Sequence, residues 1–474
     1  MLRDFIITIN QLNTEEGLEI KLKNNFIKIF GFLGFAIGDT LALQWLGGFV
    51  EGVGKALKFC RTCHIHHDER LEKFKSKFML RDIETHLCQL HLLEKSSDLS
   101  KQYGIKSKSV LLNLHDFDIC QCLLHDPMHV IVEGICINEL KYLLIYLTKT
   151  KKIDLNIINK KIMDFEYFFI DKDDKPNSIN ENHIANGSFP LSAGQMMTLV
   201  INMPFIIGDL FGQYDQNWLN FINLNQILNL VLSFFYDCLT LKHLDLKIYE
   251  YLQNFHDLYP DASMTPKLHY LTHLVAQMDN FGPLRHHACF RFEAKNFLIK
   301  KFDYKCFKNI CFSATDKHQF WMASKELEQL NKKSMKYVDD VCNVDQNKTI
   351  DPCVLAKFNF KSSISVCKFL KKDGFKYIPG CFLIIELDLS VDMTSVGLVK
   401  EIFVVDGNHI FYLQLCKIDK QNSSLNCFEI SLTTKHHYIK FDDLIFKQAQ
   451  FGIYVSNKLY LQVRYYHHLL IPVS

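Results

Sequence analysis

Over the first 24 residues Phe5, Ile6, Ile9 and Leu12 recur at helical spacing before a break near Gly17, which predicts an amphipathic helix. The run IKIFGFLGFAI (27–37) is different. Its β-branched and aromatic residues predict a buried strand that ends at Gly38-Asp39. Glycines punctuate 40–58 and predict a short helix under a loop, while 64–120 is charged and mixed, with a turn at Tyr103-Gly104. The pattern MHVIVEGICINELKYLLIYLTK, over 128–150, is helical. The polar, turn-rich stretch DKDDKPNSINENHIANGSF (171–189) predicts an exposed loop. At least three apolar helices follow over 192–257, and a helical pair surrounds KLHYLTHL and FRFEAKNFLIKKF within 265–330.

After residue 330 the pattern changes again. Residues 331–356 are polar and lysine-rich and predict a linker. Beyond it, short runs such as YIPGCFLIIELDL, GLVKEIFVVDG, HIFYLQLCKI and GIYVSNKLYLQVRYY alternate with turns and predict a small all-β domain.

The totals narrow the class. A chain of 474 residues with 48% apolar and 22% charged residues has room for two or three folded domains. The formal net charge of +2 argues neither for nor against a nucleic-acid partner, since a basic groove can sit in a neutral chain. No basic segment leads into an apolar core at the start, so a secretory signal is not expected. The 16 irregularly spaced cysteines therefore read as reduced thiols of a nuclear or cytoplasmic, not secreted, protein. Cys88, Cys120, Cys136 and Cys238 sit among apolar neighbours and are expected to be small buried hydrophobes. Residues 26–50 approach the length of a membrane span but carry Asp39 at the centre, which costs about 2.5–3.5 kcal/mol on insertion. Residues 227–241 are too short and carry Asp237, so both stretches read as core and no membrane is expected.

Four features carry chemistry. Asp39 follows the predicted strand, and a carboxylate at a rigid, open strand end can meet others around a metal ion; a plain turn residue is the simpler reading. Cys60-Arg61-Thr62-Cys63 offers two thiols to one zinc ion, half of a tetrahedral site, with His64, His66 and His67 as nearby rival ligands. A redox pair would need a βαβ context, which is not evident. His269 and His273 lie four apart in KLHYLTH, so on a helix both imidazoles reach one ion and would complete a Cys2His2 set. Tyr270 stands where a zinc protease needs Glu, and two stacked surface histidines remain the plain alternative. Glu293 opens a helical segment carrying Lys295, Lys300 and Lys301: carboxylate for a metal, cations for phosphates, or else a solvated charged helix.

The order of these features resembles CACTA/EnSpm-type DNA transposases, a group related to Transib elements and to the catalytic subunit of the V(D)J recombinase. IGDTLALQWLGGF running into FCRTC is similar to the family's GD-n-L and C-R-x-C segments. HDPMHVIVEGI, with Asp126, His129, Glu133 and Gly134, resembles its D-x-x-H-x-x-x-E-G motif. TPKLHYLTHLVAQMDNFGPLRHHACFRFEAKN resembles its P-K-x-H-x-L-x-H … G-P-L … R-F-E-A-K-H segment, and the likeness covers roughly residues 1–325.

The resemblance implies an α/β + α architecture. Residues 1–125 would be the remnant of an RNase H-like core with the C-x-x-C segment, and 126–262 a large helical insertion. Residues 263–330 would complete the core with the His pair and the Glu helix, followed by the 331–356 linker and the all-β domain over 357–474. It implies Asp39 and Glu293 as the second and third carboxylates of an Asp-Asp-Glu triad that holds Mg2+, and Cys60, Cys63, His269 and His273 as ligands of a structural zinc. Asp126 and His129 would be accessory residues, and Lys295, Lys300 and Lys301 would contact DNA. The family's first catalytic Asp precedes this region by many tens of residues, and here only Asp4 precedes Asp39, within the first helix. The expectation is an N-terminally truncated, transposase-derived protein, inactive alone, partnered by terminal-repeat DNA and by copies of itself. The alternative is a co-opted, zinc-stabilised DNA- or protein-binding module without catalysis.

Overall fold

The computed structural model describes residues 2–23, 25–71, 74, 78–301, 309–331, 341–344, 364–388, 393–455 and 457–465. By its contacts the chain forms two compact units, one of residues 1–165 and 176–291, the other of residues 166–175 and 292–474. The first is helical and the second is built on an antiparallel sheet.

In the first unit the N-terminal periodicity becomes the helix Leu2–Leu12, which buries Ile6 against Leu43, Phe49, Leu111 and Leu123. The buried strand expected over 27–37 does not form as one element. The chain reverses at Lys23 (φ +53°), and Asn25–Ile29 (β2) pairs antiparallel with Leu18–Leu22 (β1), every side chain of β2 remaining exposed. The flanking LEIKL segment supplied a ladder partner that the apolar run alone did not reveal. Farther on, only Ala36 pairs, in a parallel bridge to Leu123: its N–H donates to Cys122 O at 2.8 Å and its carbonyl accepts from Leu124 N at 3.0 Å.

The stretch from Met128 to Thr150 is one continuous helix, with π-turns over Met128–Ile135 and Tyr146–Thr150 flanking the α-helical Cys136–Ile145. It packs against Ala193–Ile207, Gln216–Val231 and Pro266–Leu271. Ser192 and Gln195 close a reciprocal cap at the start of Ala193–Ile207, and Asp237 caps Cys238–Leu258. The window Ala193–Leu210 is long and apolar enough to cross a membrane, but Leu199, Val200, Met203 and Ile207 are buried in this helical core. Residues 171–189 are not the expected exposed loop. Glu181–Asn186 is a helix capped by Asn180, and Ile179, Ile184 and Phe189 are buried. Asn180 there is a helix cap, and the isolated apolar residues anchor the segment. Of the four cysteines expected in the core, Cys120 and Cys136 are buried whereas Cys88 and Cys238 are exposed on helix surfaces.

The second unit has nine described strands in one curled sheet. These are Val341–Val344 (β3), Ile364–Lys372 (β4), Phe375–Tyr377 (β5), Phe382–Asp388 (β6), Met393–Val405 (β7), Asn408–Asn422 (β8), Cys427–Lys440 (β9), Phe451–Val455 (β10) and Lys458–Gln462 (β11). The order is β10-β11-β9-β8-β7-β4-β3, with β5 on β4 and β6 on β7. Asp406-Gly407, both at positive φ, make the two-residue turn between β7 and β8. Phe382 and Gln450 exchange backbone hydrogen bonds of 2.9 and 2.8 Å, which curls the sheet back on itself around Leu370, Leu383, Ile402, Phe411 and Leu413. Strand β3 falls within the expected linker, whose other residues, apart from 331, lie outside the described ones. Cys342 and Cys367 form a disulfide between β3 and β4, so not every thiol is reduced.

A strap from the middle of the chain, 166–175, belongs to this second unit. Phe168 stacks on Phe451 at 4.4 Å, and Asp171 accepts two hydrogen bonds from Arg464 Nη1, at 3.0 and 2.8 Å, with both side chains buried. Removing one member of a buried ion pair strands the other charge. Arg464→Ala is therefore expected to destabilise this unit by about 3–5 kcal/mol in denaturant unfolding, while pairing Arg464→Met with Asp171→Leu recovers most of the loss.

In the first unit Glu139 is fully buried, accepting hydrogen bonds from Tyr251 Oη (2.9 Å) and Tyr259 Oη (3.4 Å). Burial raises its carboxyl from the ordinary 4.5 to about 8, an effect the two tyrosines partly oppose. A folded-state value above the unfolded one means that the contribution to stability is complete below about 4.5 and is lost as pH rises through about 8. Stability is expected to fall across that window by up to about 1.4 kcal/mol per pH unit, and Glu139→Gln to flatten the slope when urea midpoints are compared across it.

Candidate metal centre

Two thiols and two imidazoles converge inside the first unit from segments some 200 residues apart. The C-x-x-C turn is set by local pairing: Cys63 bridges Leu80, His64 N donates to Met79 O at 2.9 Å, and Arg81 N donates to Thr62 O at 2.9 Å. Pro at the first position of Pro266–Leu271 starts the short helix that carries His269, and His273 opens the next one, Leu274–Phe281. Cys60 Sγ lies 3.4 Å from His273 Nε2, Cys63 Sγ 3.3 Å from His269 Nε2, and the two Nε2 atoms are 3.0 Å apart. None of the four residues is more than 5% exposed.

These separations test the donor set directly. Zinc bonds of about 2.3 Å to sulfur and 2.0–2.1 Å to nitrogen give tetrahedral edges of roughly 3.3–3.6 Å, which the observed distances approach to within a few tenths of an ångström. All four side chains present a ligand atom to one point, so the buried cluster can hold a metal such as zinc. Burial opposes charge on Cys60, yet its contact with Cys63 and the imidazoles of His273 and His269 hold it well below the ordinary thiol range. Burial, together with sharing that charge, pushes Cys63 up. One thiolate is thus favoured even before a cation is considered. His269 is held neutral chiefly by burial, as a ligand imidazole must be.

Residues around the ligands lock them in place. Phe59 and Phe78 meet His269 edge-on at 5.4 and 4.8 Å. His125 stacks on Tyr270 (4.4 Å) and His273 (5.5 Å) and shares a hydrogen bond with Thr62 Oγ1 at 3.0 Å. Burial and Arg61 lower its pKa to about 3, so it is neutral. Two buried guanidiniums fix the turn. Arg61 donates to the carbonyls of Leu123 (2.9 Å) and Leu124 (2.8 Å), and Arg81 to those of Cys60 (2.8 Å), Lys58 (3.0 Å) and Tyr103 (2.7 Å). Gln277 pairs with both backbone groups of His125, at 2.8 and 3.1 Å, joining the second ligand helix to the segment bridged by Ala36. Only Arg61 carried a sequence signal, through its place in the C-R-x-C motif; the other partners had none.

The rival histidines lie elsewhere. His66 and His67 both face Asp68, and His64 is kept neutral, near 4, mainly by burial. Asp126 and His129 come together with Cys289 in a second group whose ligand atoms lie within 4.8 Å of one another. Among the described residues neither Asp39 nor Glu293 joins a group of metal-competent side chains. Asp39 caps Thr40–Leu46, its Oδ1 accepting from Ala42 N at 2.7 Å. Glu293 belongs to the second unit and is exposed on Phe290–Lys300, a helix with no buried residue, together with Lys295 and Lys300; Lys301 follows and lies over the Phe297 ring at 4.1 Å.

No protein-family model matches the chain, and a search of curated proteins likewise finds no match.

Protein purified without added metal is expected to carry about one zinc per chain, and Cys60→Ser with Cys63→Ser to carry none and to lose its cooperative unfolding transition. A folded, metal-free wild type by elemental analysis would remove the assignment.

Proposed function

We propose that this chain is a transposase-derived protein with an RNase H-like core held by a structural zinc, and that it binds DNA without cutting it. The observation that carries the reading is the closed Cys60, Cys63, His269 and His273 set, assembled by the residues that the transposase resemblance names, in its order. Four buried ligands leave no position for water, which suits a structural rather than a catalytic ion.

A second observation supports the same reading. Asp39 and Asp126 each stand three residues beyond the members of the parallel Ala36–Leu123 bridge, so two of the segments that the resemblance names are joined by backbone hydrogen bonds. Lys295, Lys300 and Lys301, all exposed, would meet phosphates. Since neither Asp39 nor Glu293 joins a metal-competent group among the described residues, residues 1–474 are proposed to bind duplex DNA, terminal repeats among it, and to leave it intact.

Binding to duplex DNA is expected to weaken with salt. Replacing Lys295, Lys300 and Lys301 by Ala is expected to reduce the slope of log affinity against log salt by about one for each phosphate no longer neutralised. Unchanged affinity in the triple variant would remove the DNA reading. Mg2+-dependent nicking that disappears in Asp39→Ala would instead overturn the claim that the chain does not cut.

A further inference from the structure

A second constellation lies at the start of the long helix. Asp126 stands just before its first turn and receives four N–H donors. Oδ1 accepts from Met128 N (3.2 Å) and Cys289 N (3.0 Å), and Oδ2 from His129 N (3.1 Å) and from His129 Nδ1 in a very short contact. A carboxylate so occupied has little capacity left to bind an ion; its function is to orient the imidazole. The contact fixes His129 with Nδ1 turned to Asp126 and Nε2 turned away, and Nε2 faces Glu133 Oε2 at 3.7 Å. That separation is too long for a hydrogen bond and close to the roughly 3–3.4 Å between neighbouring N and O ligands of one divalent ion.

The helix is built to hold this pair. Residues 128–135 form π-turns, a geometry frequent at functional positions. The stem of Lys267 crosses the helix at Gly134, where a Cβ would collide with it and with the His129 carbonyl, and Lys267 Nζ donates to Glu133 O at 2.7 Å. The Glu133 side chain is 38% exposed and that of His129 17%, so the face between them opens outward while Asp126 is buried behind. The thiol of buried Cys289 completes the surroundings, within 4.8 Å of the Asp126 and His129 ligand atoms.

We propose that His129 Nε2 and the Glu133 carboxylate form a second divalent-metal site, open to solvent, with Asp126 as the residue that positions the imidazole. Imidazole with carboxylate suits a borderline ion of the Zn2+, Co2+ or Mn2+ type, and two protein ligands leave positions for water or for an oxygen of a bound phosphate. The site is separate from the Cys2His2 set and does not depend on the transposase reading.

Titration of the full chain, its cysteine-held metal in place, with Co2+ followed by absorption and elemental analysis tests this. A second equivalent is expected to bind, to be lost in His129→Ala and in Glu133→Gln, and to bind about 10–100-fold more weakly in Asp126→Asn. Retention of the first equivalent shows that each variant is folded. Should His129→Ala misfold, Glu133→Gln alone carries the decision, since it leaves the Asp126–His129 contact intact. The proposal is overturned if no second equivalent binds, if it survives both ligand variants, or if it disappears in Asp39→Asn, which would assign it to the other carboxylates.

Discussion

Two sulfur and two nitrogen ligand atoms packed 3.0–3.4 Å apart, with almost no solvent contact, are tolerable in a protein interior only if their charge and lone pairs are shared. A bound cation meets that requirement at one point, and the rest of the helical unit is arranged around it. The C-x-x-C turn is held from two directions, Arg61 within it donating to the carbonyls of Leu123 and Leu124, and Arg81 donating to those of Cys60 and Lys58. The ligand helices cannot slide because Gln277 is paired to the backbone of His125. Each of these polar groups is itself buried, so losing one would leave a desolvated partner, and the assembly behaves as a unit.

The backbone next to this cluster serves two centres. His125 closes over the Cys2His2 ligands, while its neighbour Asp126 turns the other way and gathers Met128, His129 and Cys289. A shift of this segment would therefore disturb both. The parallel contact of Ala36 with Leu123 immediately precedes it, which links the position of Asp39 to the same short piece of main chain.

What the sequence disclosed follows from what periodicity and spacing measure. The helices over 128–150 and 192–257 were legible because they are long apolar runs that bury many of their residues, and the ligand set was legible because C-x-x-C and H-x-x-x-H fix local geometry. The run 27–37 misled because apolar content says nothing of ladder partners: β2 folded back on LEIKL, and of the rest only Ala36 forms a bridge to another segment. Polar composition over 171–189 hid a capped helix whose anchors are three separated apolar residues. Glu139 was overlooked in an apolar helix although its spacing from Ile135 and Leu143 places it on their buried face. No pattern in the chain announces that Asp171 pairs with Arg464, 293 residues away.

That distance between partners has a kinetic side. Cys63 and His269 are 206 positions apart, so during synthesis the thiol half of the centre leaves the ribosome long before the imidazole half exists. At ordinary elongation rates the interval is roughly 10–40 s. Through it the nascent C-x-x-C turn lacks its native imidazoles, and any ion it captures must take its remaining ligands from water, from another molecule or from the neighbouring His64, His66 and His67. The helical unit is in this sense completed from its C-terminal end, by the arrival of a short histidine helix.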